Sequence, residues 1–284
     1  MAKEITISNN MIEVTISTFG AELQSMKKNG EEYLWDGNPE VWSGRAPILF
    51  PICGGLKDDK YIFEDREYTL PKHGFAKLSE FEVVSTEKEK AVFLLKSSPE
   101  TLKCYPFEFE LRVTYCLDRD TLKIDYTVSN KGQGDMYFAI GAHEAYACPE
   151  GIEDYSVIFE KEEIFESNVL HGNLLGHETI VLGKNTCELP LKYEYFAIDA
   201  QNFLNLKSRK ATLKNRKTGK SIEVCFDGLD YFLLWTKPTG RYICLEPWTG
   251  VPDFVDSDYD FTHKKGIIKL ASGEACSKKH SIKL

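Results

Sequence analysis

Four segments of the 284-residue sequence set a polar side chain in apolar or glycine-rich surroundings, where a solvated surface would not put it. In Gly44-Arg45-Ala46-Pro47-Ile48-Leu49-Phe50-Pro51 one cation precedes a long apolar run, so Arg45 must be paired, snorkelled or turned to a ligand. Lys72-His73-Gly74-Phe75 places His73 in a loop bounded by Pro71, and Gly74 allows close backbone approach. Ala139-Ile140-Gly141-Ala142-His143 reads as the end of a strand buried on both faces. A period of two sets Tyr137, Ala139, Gly141 and His143 on one side, and the small residues below the imidazole leave room for a ligand. Ile243-Cys244-Leu245-Glu246-Pro247-Trp248 ends another buried strand with a carboxylate between apolar groups and an indole. Such surroundings raise a carboxylate pKa toward neutrality, which suits Glu246 and a histidine to general acid–base work. Each residue also has a purely structural reading. His143 fits a hydrogen-bonded core or turn position, Glu246 a carboxylate held by backbone, and Arg45 an ion pair. His171 and His177, in a glycine-rich loop-like segment, read as surface residues, as do His263 and His280.

Other reaction classes fail on their spacing. Gly219-Lys220-Ser221 ends like a phosphate-binding loop, but position 214 is Lys where glycine is required. His143-Glu144-Ala145-Tyr146-Ala147 begins like a zinc-protease helix, yet the second ligand position is Ala147. Gly132-Gln133-Gly134 lacks the third glycine of a dinucleotide fingerprint, and no GxSxG elbow occurs. Eight cysteines stand 12 or more residues apart with no CxxC pair, as expected of reduced thiols in a cytoplasmic protein.

The elements that must position these residues are strands. From Phe107 to Leu117 the odd positions are apolar and the even ones mostly polar. After Asp118-Arg119-Asp120 the pattern resumes through Leu122, Ile124, Tyr126 and Val128, which makes a hairpin. Further strands are expected at Ile5–Ile7, Ile12–Ile16, Ala91–Leu95, Met136–Ile140, Ile222–Phe226, Tyr231–Trp235, Tyr242–Leu245 and Ser281–Leu284. The basic run Lys207–Lys220 reads as a hairpin turning at Thr218-Gly219. With no linker, composition break or repeat, residues 1–284 are expected to form a single domain, an all-β antiparallel sandwich.

Thirty-five Lys and Arg against 44 Asp and Glu leave a net charge of −9, which argues against nucleic acid and anionic membrane partners. Hydrophobic residues at 42% place the chain among globular proteins, and no apolar stretch reaches the roughly 18 residues of a membrane span. The N-terminal residues lack the apolar core of a secretory signal, so a cytoplasmic location is expected.

At its four polar-in-apolar segments the sequence resembles the aldose 1-epimerase, or galactose mutarotase, superfamily, and most closely its LacX-like branch. The resemblance spans nearly the whole chain. Its pieces are Gly44-Arg45, His73-Gly74-Phe75, Gly141-Ala142-His143-Glu144, Phe196-Ala197-Ile198-Asp199-Ala200, and Leu233-Leu234-Trp235-Thr236-Lys237-Pro238 leading to Glu246-Pro247-Trp248-Thr249-Gly250. It implies an antiparallel β-supersandwich with an open sugar cleft. By the same resemblance, Glu246 is the base that takes the anomeric hydroxyl proton, and His143 the acid that protonates the ring oxygen. His73 bonds near the ring oxygen, Arg45 and Asp199 hold sugar hydroxyls, and Trp235 faces the sugar ring. Ring opening, rotation about C1–C2 and reclosure return the other anomer, with no metal or nucleotide cofactor.

The chain departs from the galactose mutarotase pattern around His143, where Ala142 precedes and Glu144-Ala145-Tyr146 follow, and after Glu246, where Pro247-Trp248 stand. Galactose specificity therefore does not carry over. A related branch acts on hexose 6-phosphates, for which Lys72, Lys77 or Lys237 would supply the phosphate contact. No phosphate nest or arginine pair lies near the matched segments, so free hexoses are the expected substrates. A sugar-binding module without turnover would keep the aromatic and arginine contacts but would not need both Glu246 and His143.

Overall fold

Alternating polarity carries the chain into antiparallel ladders. In this computed structural model, which describes residues 2–284, Phe109–Asp118 pairs with Thr121–Asn130 through a two-residue turn. Leu111 stands opposite Val128, Val113 opposite Tyr126, Tyr115 opposite Ile124 and Leu117 opposite Leu122, and all eight are buried. Burial of one face fixes the register, because a slip of one residue would turn these side chains outward.

The main sheet has 13 strands. Its cleft end runs Glu144–Ala147, Tyr242–Trp248, Tyr231–Trp235, Gln201–Phe203 and Tyr155–His171. It continues through Lys210–Asn215 and Ser221–Cys225 to Ala275–Lys283, then to the 121–130 and 109–118 hairpin, Lys90–Lys96 and Glu82–Glu87. Leu174–Pro190 pairs with Tyr155–His171 alone. A second sheet of four strands begins with Glu4–Ser8 and Ile12–Ser17. The architecture is an all-β antiparallel supersandwich. Among the described residues, no helix is long and apolar enough to cross a membrane, and all eight cysteines are free.

The apolar run after Arg45 is core. Ile48, Leu49, Phe50 and Ile52 are fully enclosed, and the Phe50 ring lies 5.0 to 6.1 Å from those of Phe75, Tyr105, Phe109 and Phe138. Burying one such ring contributes about 1.5–3 kcal/mol. That packing anchors the loop that follows His73.

Several expectations shift. The strand expected at 136–140 is Met136–Phe138, and residues 139–143 leave regular pairing for isolated bridges from Gly141 to Leu49 and Trp248. The closing strand starts at Ala275, six residues before Ser281, and Lys278-Lys279 disguise it. The two longest strands, Tyr155–His171 and Leu174–Pro190, were not expected at all. Glu160-Lys161-Glu162-Glu163 interrupts the alternation of the first, whose ladder carries repeated register shifts, and the second is mostly exposed and shows no buried face. His171 and His177 lie on these strands, exposed as expected. His280 is a correction: it is 3% exposed, and its Nε2 lies 2.9 Å from Glu144 Oε1.

Candidate active site

Strand Tyr242–Trp248 is buried along its whole length. Ile243 and Leu245 join the main core, while Cys244, Glu246 and Trp248 point to the other face, as a period of two demands. Trp248 Nε1 donates to Ala142 O at 3.0 Å and Ala142 N donates to Pro247 O at 3.1 Å, which brings the residue after Ala142 beside the strand. A Cβ on Gly141 would lie 2.5 Å from Trp248 Cδ1. The small residues below His143 thus make room for the indole, and not, as the alternation implied, for a ligand.

This stitching sets His143 Nε2 at 3.4 Å from Glu246 Oε2 on the floor of a cleft of about 500 Å³. Both are nearly enclosed. Trp42 stacks on His143 with centroids 5.3 Å apart, and Trp235 meets it edge-on at 5.7 Å. Burial pushes Glu246 well above the usual carboxylate range; Asp199 and Glu144 add to the shift and Lys72 opposes it. Burial lowers His143 to about 3, with Lys77 and Lys72 contributing in the same direction. The same enclosure thus disfavours the charged form of each partner.

His73 occupies a left-handed conformation at φ 69°, followed by Gly74 at 68°. A Cβ on Gly74 would lie 2.3 Å from Phe50 O, so glycine is required there. The loop is held reciprocally: His73 N donates to Gly54 O at 2.8 Å, and Gly54 N donates to His73 Nδ1 at 3.1 Å. With Nδ1 accepting, the ring proton sits on Nε2. Burial, then His143 and the two lysines, holds His73 well below the usual imidazole value, so it is a neutral donor.

Asp199 and Trp235 line the same cleft. Arg45 does not. Its guanidinium turns to Gln24 O, its backbone N–H donates to Glu22 Oε1, and its carbonyl accepts from Ala145 N, so Arg45 fastens the wall. Lys72 and Lys77 are the cleft's cations, whereas Lys237 is exposed and outside it. Sequence reasoning misses Trp42, whose only signal is an indole two residues before Gly44 in a chain with four tryptophans. It also misses Asn202, a fully buried cleft residue whose Oδ1 has no hydrogen-bond partner.

The aldose 1-epimerase family model matches residues 3–283. The chain belongs to the aldose 1-epimerase family. It is 35% identical over 293 residues to the chromosomal LacX protein of Lactococcus lactis subsp. lactis, covering 98% of each chain. A galactose mutarotase related enzyme from Lactobacillus acidophilus superposes with a TM-score of 0.94 at 34% identity, covering 99% of this chain and 97% of that one. A galactose mutarotase-like protein from Lactobacillus casei gives 0.94 at 29% identity over 99% of both chains. The family supports an epimerase acting on a sugar.

Proposed function

We propose that this aldose 1-epimerase family member interconverts the α and β anomers of a hexose by acid–base ring opening, with Glu246 and His143 as the proton-transfer pair. The supporting observation is their 3.4 Å contact on the cleft floor. A hemiacetal opens when its anomeric hydroxyl loses a proton and its ring oxygen gains one. Both oxygens are bonded to C1, so acid and base must be neighbours. Glu246 accepts the hydroxyl proton and His143 supplies one to the ring oxygen. His73 donates from Nε2 to an oxygen near the ring, Asp199 accepts from hydroxyls, and Trp42 and Trp235 give the sugar an apolar face.

Glu246→Gln keeps size but cannot take a proton, and His143→Asn cannot cycle. Each should slow anomer exchange, followed by NMR, by about 10²–10⁴-fold while sugar affinity measured by calorimetry changes far less. Wild-type protein that binds sugar yet never exceeds the spontaneous rate with any aldose would instead be a binding module.

A second reading, a hexose-6-phosphate mutarotase, draws on Lys72 and Lys77, which line the cleft and make no ion pair among the described residues. Comparing glucose, galactose and glucose 6-phosphate separates the two. Free hexoses should turn over, and a strong preference for the phosphate that disappears in Lys72→Ala or Lys77→Ala would establish the second reading.

A further inference from the structure

Cys244 lies two residues before Glu246 on the same face of its strand and takes no part in the proton transfers. One donor atom each from His143, Cys244 and Glu246 lie within 4.8 Å of one another, and all three side chains are buried. His143 Nε2 and Glu246 Oε2, at 3.4 Å, already have the spacing of about 3.5 Å that two ligands keep around tetrahedral zinc. The sulfur stands within 4.8 Å of both donors, so closing on an ion asks for at most about 1 Å of adjustment from the three side chains together. Thiolate, imidazole and carboxylate together suit a borderline-soft cation and disfavour Mg²⁺, which takes oxygen ligands. His143 and Glu246 line the cleft, so an ion they hold would sit at its floor.

We propose that His143, Cys244 and Glu246 form a binding site for a thiophilic divalent cation such as Zn²⁺, which competes with the sugar and arrests turnover. Sulfur, imidazole nitrogen and carboxylate oxygen become the ligands, while the thiol proton, and any proton held by Glu246, leaves to solvent. Nothing is oxidised. The competition with sugar rests on the epimerase reading, but the metal site itself does not.

Two readouts keep these apart. With Co²⁺ as probe, the wild-type protein should show a near-ultraviolet thiolate-to-metal charge-transfer band that Cys244→Ser and Cys244→Ala both lack. This holds whether or not any aldose turns over. In anomer exchange, Zn²⁺ should inhibit competitively with sugar and EDTA should reverse it, while Mg²⁺ has no effect. Both Cys244 variants should turn over like wild type and need at least about tenfold more Zn²⁺ for the same inhibition. Absence of the Co²⁺ band in the wild type overturns the site. So does equal Zn²⁺ sensitivity in the variants, which would place the ion on exposed pairs such as His171–Glu178 or His177–Asp256.

Discussion

At the scale of single residues, one enclosure shifts two groups in opposite directions. Burial raises Glu246 and lowers His143 to about 3, because both charged forms lose water. Acid protonates the imidazole only near its depressed value, and alkali ionises the carboxyl only above the ordinary carboxylate range. The profile of kcat/KM, measured with EDTA present, should be bell-shaped. Its acid limb should lie well below 6.5, the ordinary imidazole value, and its alkaline limb above 4.5, the ordinary carboxylate value. An acid limb at 6.5 would mean that His143 titrates as a solvated imidazole. The sequence shows why Glu246 is raised, from its Leu245 and Trp248 neighbours. It does not show His143 lowered, because Trp42 lies 101 positions away in the chain (143 − 42) and only folding stacks it there.

At the scale of elements, the site depends on how residues 139–143 pack against strand Tyr242–Trp248. Gly141→Ala puts a Cβ 2.5 Å from an indole already pinned by its bond to Ala142 O. Overpacking of this kind costs about 1–3 kcal/mol, so urea denaturation should show a loss of that size together with slower anomer exchange. Unchanged stability and rate would mean that the indole has room to retreat. Behind the same segment, Glu144 meets His280 with both side chains enclosed and with Glu144 Oε2 unpartnered. His280→Leu strands a buried carboxylate and should cost about 3–5 kcal/mol, whereas adding Glu144→Met should recover most of it, since an apolar pair avoids the desolvation penalty. If the double variant is no more stable than the single one, the packing of His280 against Tyr126, not its bond to Glu144, carries the stability.

At the scale of the whole molecule, the fold class is legible wherever a strand buries one face, as in Phe109–Asp118 and Thr121–Asn130. It is illegible along Leu174–Pro190, which has almost no buried face to imprint a pattern. The candidate site is legible at Glu246, His143 and His73, polar residues in apolar segments that the fold gathers in one cleft. Arg45 shows the limit of that logic, because a backbone carbonyl on Gln24 satisfies a cation as well as a ligand would. His280 shows the opposite limit, since its neighbours Lys279 and Ser281 look solvated and its partner lies 136 residues away. The strand that carries His280 sits in the middle of the main sheet, between Ser221–Cys225 and Thr121–Asn130, yet it follows both in the chain. During synthesis, therefore, the strands of two half-sheets, each with an open edge, are made before the piece that joins them. Until residues 275–283 emerge, those edges are free to pair with another nascent chain, and the same strand that closes them brings His280 to Glu144, behind the wall of the candidate site. Closure of the sheet and the pairing of Glu144 thus depend on one and the same strand.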